Sequence, residues 1–104
     1  MLEINASHNG NAFTVGVGEI INLNLPENPS TGYRWNLFSE VKPVLELQKD
    51  DFSASGSAPG AFGSRTWQFR TTQAGDVDLK LEKRRSWEKG VVETFTVSIH
   101  AKAG

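Results

Sequence analysis

The 104-residue chain has no cysteine. That excludes a disulfide scaffold, thiolate metal ligation and a nucleophilic thiol, and it leaves the redox compartment open. No run approaches the ~18–20 apolar residues of a membrane-spanning helix. An excess of charge is lacking too: 11 basic against 12 acidic residues give a formal net charge of −1. No basic field therefore points to nucleic acid or to an anionic membrane. There is no helical stripe of apolar residues, no internal repeat and no linker. Residues 1–5 carry no basic segment followed by an apolar one, so no secretory leader is expected within the sequence, and the compartment stays open.

Groupings that support catalysis are missing as well. Histidine occurs only as His8 and His100, the first in an expected turn and the second at the end of the last strand. A nucleophilic serine or threonine needs a histidine beside it, oriented by a carboxylate, and no Gly-x-Ser-x-Gly elbow is present. Asp50 and Asp51 are adjacent, and neighbours on a strand face opposite ways. Hydrolysis by paired carboxyls needs both in one cleft, so this pair is expected in a solvated turn. No His/Asp/Glu cluster has metal-ligand spacing. The glycines of "GAFGS" neither open a helix nor precede the lysine of a phosphate loop. Asn5-Ala6-Ser7 is a formal glycosylation sequon, read here as a chance occurrence. An enzyme, a metal and a cofactor are all unexpected.

What remains is 38% hydrophobic and 22% charged, the composition of a globular protein forming one domain over residues 1–104. Period-two alternation dominates, as in Ile21-Asn22-Leu23-Asn24-Leu25, Tyr33-Arg34-Trp35-Asn36-Leu37 and Trp67-Gln68-Phe69-Arg70. It recurs from Val77 to Glu82 and from Phe95 to Ile99, with shorter strands expected at 13–17 and 44–48. Half-buried antiparallel strands read this way. Glycine-bearing turns such as Asn9-Gly10 and Ala74-Gly75-Asp76 separate them. The pattern predicts an all-β fold, an immunoglobulin-like antiparallel β-sandwich of seven to eight strands. Tyr33, Trp35 and Trp67 are assigned to its core.

Three connections differ from the others: 26–32, 51–64 and 83–90. In an immunoglobulin-like sandwich they join strands B and C, D and E, and F and G, and the first and third fall at one end. In the first, Pro29 fixes its own φ and holds Asn28 extended, while Gly32 permits a left-handed exit. The result is a stiff connection presenting Ser30 and Thr31, which loses little entropy on binding; an ordinary turn joining two strands is the equal alternative. In the third, Trp87 stands among charged residues, the setting of an interface anchor; a Trp folded back over the sheet edge is the alternative.

Three motifs in order carry a resemblance: Asn28-Pro29-Ser30-Thr31-Gly32-Tyr33, Gly60-Ala61-Phe62-Gly63 and Arg85-Ser86-Trp87. With a frame running from Val15-Gly16-Val17-Gly18-Glu19 through Leu25-Pro26 to Ala74-Gly75, the chain resembles the chagasin family, inhibitors of papain-like cysteine peptidases. The likeness covers nearly the whole chain. Phe62 stands where the family has a glycine, and Ser86 where it has a proline. The resemblance implies a wedge that binds papain-like enzymes of the papain or cathepsin L type, reversibly and competitively, as a monomer without cofactor. Residues 28–32 would enter the cleft with Thr31 closest to the catalytic Cys and His, Arg85, Ser86 and Trp87 would rest beside it, and Gly60, Ala61, Phe62, Gly63 and Ser64 would approach the other wall. A carbohydrate-binding module using Tyr33, Phe62 and Trp87 is the competing reading, and an adhesion domain with an exposed apolar edge strand a third.

Overall fold

The computed structural model describes residues 1–28, 32–54, 63–85, 87 and 90–103. Eight strands form two four-stranded sheets. They are β1 (Leu2–Ile4), β2 (Ala12–Gly16), β3 (Ile20–Glu27), β4 (Tyr33–Leu37), β5 (Leu45–Ala54), β6 (Gly63–Thr71), β7 (Gly75–Arg85) and β8 (Glu93–Lys102). One sheet has the order β1-β3-β6-β5, the other β2-β8-β7-β4. The immunoglobulin-like sandwich expected from the alternation is the fold.

The alternation sets the core. On β3 every second residue, Ile21, Leu23 and Leu25, is buried, and on β7 and β8 the same phase buries Leu79, Leu81, Phe95, Val97 and Ile99. Trp67 and Phe69 enter from β6 and Trp35 from β4. Each fully buried large apolar side chain contributes about 1.5–3 kcal/mol. The two inner faces make one continuous cluster.

Four pairings are antiparallel: β3–β6, β5–β6, β4–β7 and β7–β8. The two N-terminal strands instead add in parallel, β1 on β3 and β2 on β8. A three-residue 3₁₀ turn, Ala6–His8, carries the chain from one sheet to the other. It is closed by a capping box in which Asn5 Oδ1 accepts from Ser7 N and His8 Nδ1 accepts from Asn5 N, both at 3.0 Å. His8 is thereby a turn residue, as expected, and Asn5 is its N-cap.

Two boundaries move. β5 continues to Ala54 and β6 begins at Gly63, so the expected connection 51–64 narrows to 55–62. Asp50 and Asp51 consequently lie on a strand rather than in a turn. Likewise β7 runs through Lys83, Arg84 and Arg85, which places the first three residues of the expected 83–90 connection in the sheet.

Candidate functional site

The register decides where the three unusual connections meet. In one sheet Glu27 at the end of β3 pairs with Gly63 at the start of β6, which pairs with Ala54 at the end of β5. In the other, Tyr33 at the start of β4 pairs with Arg85 at the end of β7, and Lys83 pairs with Glu93 at the start of β8. All three connections therefore leave from one end of the sandwich, including the one between β5 and β6.

A buried acid ties the two sheets together there. Glu27 continues the inward phase of Ile21, Leu23 and Leu25 and is 3% exposed. Its Oε1 accepts from the backbone N–H of Trp35 at 2.8 Å, and Arg65 Nε donates to its Oε2 at 3.1 Å. The Trp35 indole Nε1 donates to the Pro26 carbonyl at 2.9 Å. Residues 26 and 27 are thus clamped to residue 35, which fixes both feet of the β3–β4 connection. Arg65 reaches outward as well, donating from Nη1 to Asp50 Oδ1 at 2.8 Å. Burial disfavours the Arg65 charge, but hydrogen bonds to Asp50 and Glu27 and their negative charges outweigh it, so its pKa is raised. A cation whose folded pKa is raised stabilises below its unfolded value, and for arginine that spans every pH below about 12. No sequence motif singles out Glu27. Extending the period-two phase of β3 past Pro26 would have flagged it as an inward-facing carboxylate.

Trp87 is 68% exposed. Its indole lies against the backbone of Gly32: a Cβ built there would come within 2.3 Å of Trp87 Cη2. Gly32 also has φ +77°, so both the backbone hand and the indole require glycine. The ring thus touches the neighbouring connection while most of its surface faces solvent. The Arg85 guanidinium lies 4.1 Å from the Tyr33 ring centre and 5.6 Å from that of Trp87. Such cation–π contacts contribute about 0.5–1 kcal/mol at exposed sites. Tyr33, assigned to the core from its alternation, is instead half-buried under this guanidinium. Trp35 and Trp67 are core residues, at 4% and 1% exposure.

Gly63 and Ser64 are strand residues. Gly63 is buried beneath Phe52: a Cβ there would lie 2.4 Å from Phe52 Cζ and 2.8 Å from the Ser53 carbonyl oxygen. Phe52, unremarked in the sequence, fills the space that the missing side chain leaves. Ser64 is exposed between Pro26 and Ser53. Asn28 and Gly32 are described, whereas Pro29, Ser30, Thr31, Gly60, Ala61, Phe62 and Ser86 lie outside the described residues.

Elsewhere the described residues offer little chemistry. His100 Nδ1 sits 2.8 Å from Asp76 Oδ1 on the outer face of its sheet. Among the described residues no group of three or more His, Asp or Glu side chains could hold a metal.

A rigid two-sheet frame with an exposed aromatic and three connections at one end is a protein-binding module that presents loops. Comparison with known proteins names its family. The profile described as "Chagasin family peptidase inhibitor I42" matches residues 14–99, and the chain belongs to that family. It is an inhibitor, not an enzyme. Chagasin of Trypanosoma cruzi is 26% identical over 106 aligned positions, covering 97% of this chain and 96% of that protein. Amoebiasin-2 of Entamoeba histolytica is 32% identical over 79 positions, 73% of this chain and 63% of the relative. Among solved structures, the Entamoeba histolytica cysteine protease inhibitor EhICP2 superposes with a TM-score of 0.88 at 24% identity, covering 97% and 95% of the two chains. PbICP-C, solved in complex with falcipain-2, superposes at 0.70 with 13% identity, covering 98% and 100%. These two likenesses establish the shared fold.

Proposed function

We propose that the protein inhibits papain-like cysteine peptidases as a reversible, competitive plug, with residues 28–32 in the catalytic cleft. The observation that carries this reading is the contact between the exposed Trp87 indole and Gly32, at the end where all three connections emerge. Asn28, Pro29, Ser30, Thr31 and Gly32 form the plug, with Thr31 closest to the catalytic pair. Arg85, Ser86 and Trp87 rest on one side of the cleft, and residues 60–64 on the other.

The chemistry suits the target. A papain-like enzyme holds a thiolate beside an imidazolium. Small hydroxyl side chains and loop backbone meet that pair without burying an unpaired charge. No bond forms, and no cofactor takes part. The Glu27–Trp35 clamp keeps the plug's feet in place before binding, so less freedom is lost on association. Arg85, 4.1 Å from the Tyr33 ring centre and 5.6 Å from that of Trp87, links the two rings through its guanidinium. The same stacking covers one face of the Tyr33 ring, which removes it from the flat aromatic row that a sugar-binding module needs.

Titration of active papain with the protein should abolish activity at stoichiometric amounts and leave trypsin untouched; full papain activity in excess protein overturns the reading. Trp87→Ala should raise the inhibition constant at least tenfold with a melting temperature within a few degrees of the parent. Unchanged inhibition removes Trp87 from the interface.

A further inference from the structure

Beside the loop-bearing end, two arginines face each other across a strand pair. Trp35 is buried, so its neighbour Arg34 points out of the opposite face of β4. The register sets Arg34 directly against Arg84 of β7. Both are exposed. Like charges directly opposite in an antiparallel pair, with Cβ atoms about 4.5–5.5 Å apart, destabilise the sheet. Among the described residues no ion pair includes either arginine: Lys83 is paired with Glu93, Arg65 with Glu27 and Asp50, and Lys49 with Asp51. The nearest carboxylate in the same outward rows is Glu82, paired across the strands with Asn36, and it forms no ion pair with either arginine.

The pair is continuous with the binding end. Arg34 lies two residues past Gly32, and Arg84 precedes Arg85, whose guanidinium stacks between Tyr33 and Trp87. A concentrated positive edge thus flanks Trp87 on a chain whose net charge is −1. Two arginines are too narrow a patch for a polyanion, which is bound through many phosphate contacts at once. They are suited to an acidic rim on a protein docked at this end.

We infer that Arg34 and Arg84 form a specificity-determining electrostatic edge that selects peptidases whose surface beside the catalytic cleft is acidic. The inference rests on the proposed plug. An edge of this kind acts mainly on the encounter rate, because long-range attraction steers diffusion and is screened by salt. Dissociation is governed by the packed centre, around Trp87 and residues 28–32.

The test is stopped-flow association of the intact protein with two papain-like peptidases, one of net negative and one of net positive formal charge at pH 7. The double variant Arg34→Glu/Arg84→Glu should associate at least tenfold more slowly with the acidic enzyme at low ionic strength, with dissociation changed less than threefold. The parent's rate should fall as salt is raised, and the variant's should not. With the basic enzyme the variant should associate as fast as the parent or faster. The neutral variant Arg34→Gln/Arg84→Gln should fall between. Association with the acidic enzyme unchanged within twofold, while inhibition persists, overturns the inference and leaves the plug standing. Failure of the parent to inhibit either enzyme overturns the plug itself, and this edge with it.

Discussion

Removing the buried Glu27 carboxylate should damage this protein more than removing any of its surface charges. In Glu27→Ala the Trp35 N–H loses its acceptor at 2.8 Å and is left inside the sandwich, at about 1–3 kcal/mol. Arg65 loses one of two carboxylates but keeps Asp50 at 2.8 Å. Its loss is therefore a fraction of the ~1.5–3 kcal/mol of a charge-assisted hydrogen bond. Together these give about 3 kcal/mol, the lower end of the ~3–5 kcal/mol found when one partner of a buried pair is removed. For a domain of this size that lowers the melting temperature by roughly 12–24 °C. Glu27→Gln keeps an acceptor for Trp35 and loses only the charge, so it should cost about 1 kcal/mol, or roughly 4–8 °C. Asp50→Asn removes the outer, solvent-screened arm and should cost less than about 1 kcal/mol. Thermal unfolding by circular dichroism measures all three. A Glu27→Ala protein melting within ~4 °C of the parent, or an Asp50→Asn as damaged as Glu27→Ala, would refute the clamp.

Two further outcomes can be measured. Gly32→Ala places a Cβ 2.3 Å from Trp87 Cη2 at φ +77°, so it should cost about 1–2 kcal/mol of stability and weaken papain inhibition at least tenfold. Gly16→Ala, with nothing within 4 Å of the added Cβ, should inhibit like the parent; equal inhibition by both variants would show that Trp87 need not lie on Gly32. The Thr71 hydroxyl is buried and finds no partner among the described residues, at a cost of roughly 1–3 kcal/mol. Thr71→Val should raise urea-denaturation stability by about 1 kcal/mol, and a loss of stability would mean that the hydroxyl is satisfied.

The strands legible in the sequence are those with one buried face. Ile21, Leu23 and Leu25, or Leu79 and Leu81, announce themselves by period two because alternate residues are withdrawn from water. β5 is exposed at every position from Glu46 to Ser53, so beyond the short expected strand its sequence has no such period, and from Asp51 it reads as a connection. It is a strand because backbone groups of β6 pair with it, and that pairing is blind to side chains. The same applies to Lys83, Arg84 and Arg85, held in β7 by partners on β4 and β8. Phase alone assigns Tyr33 to the core, but at this end of the sheet its ring is covered by the Arg85 guanidinium.

Sequence by itself determined which residues face inward, the all-β class, the three unusual connections and their family resemblance. All of these are local, written in alternation and in short motifs. Tertiary structure decided that the three connections share one end, that Glu27 is buried and satisfied by Trp35 and Arg65, that Trp87 rests on Gly32, and that Arg34 confronts Arg84. Each of these depends on register between strands far apart in the chain. Register is set by how two whole sheets pack against each other, which no short stretch of sequence contains.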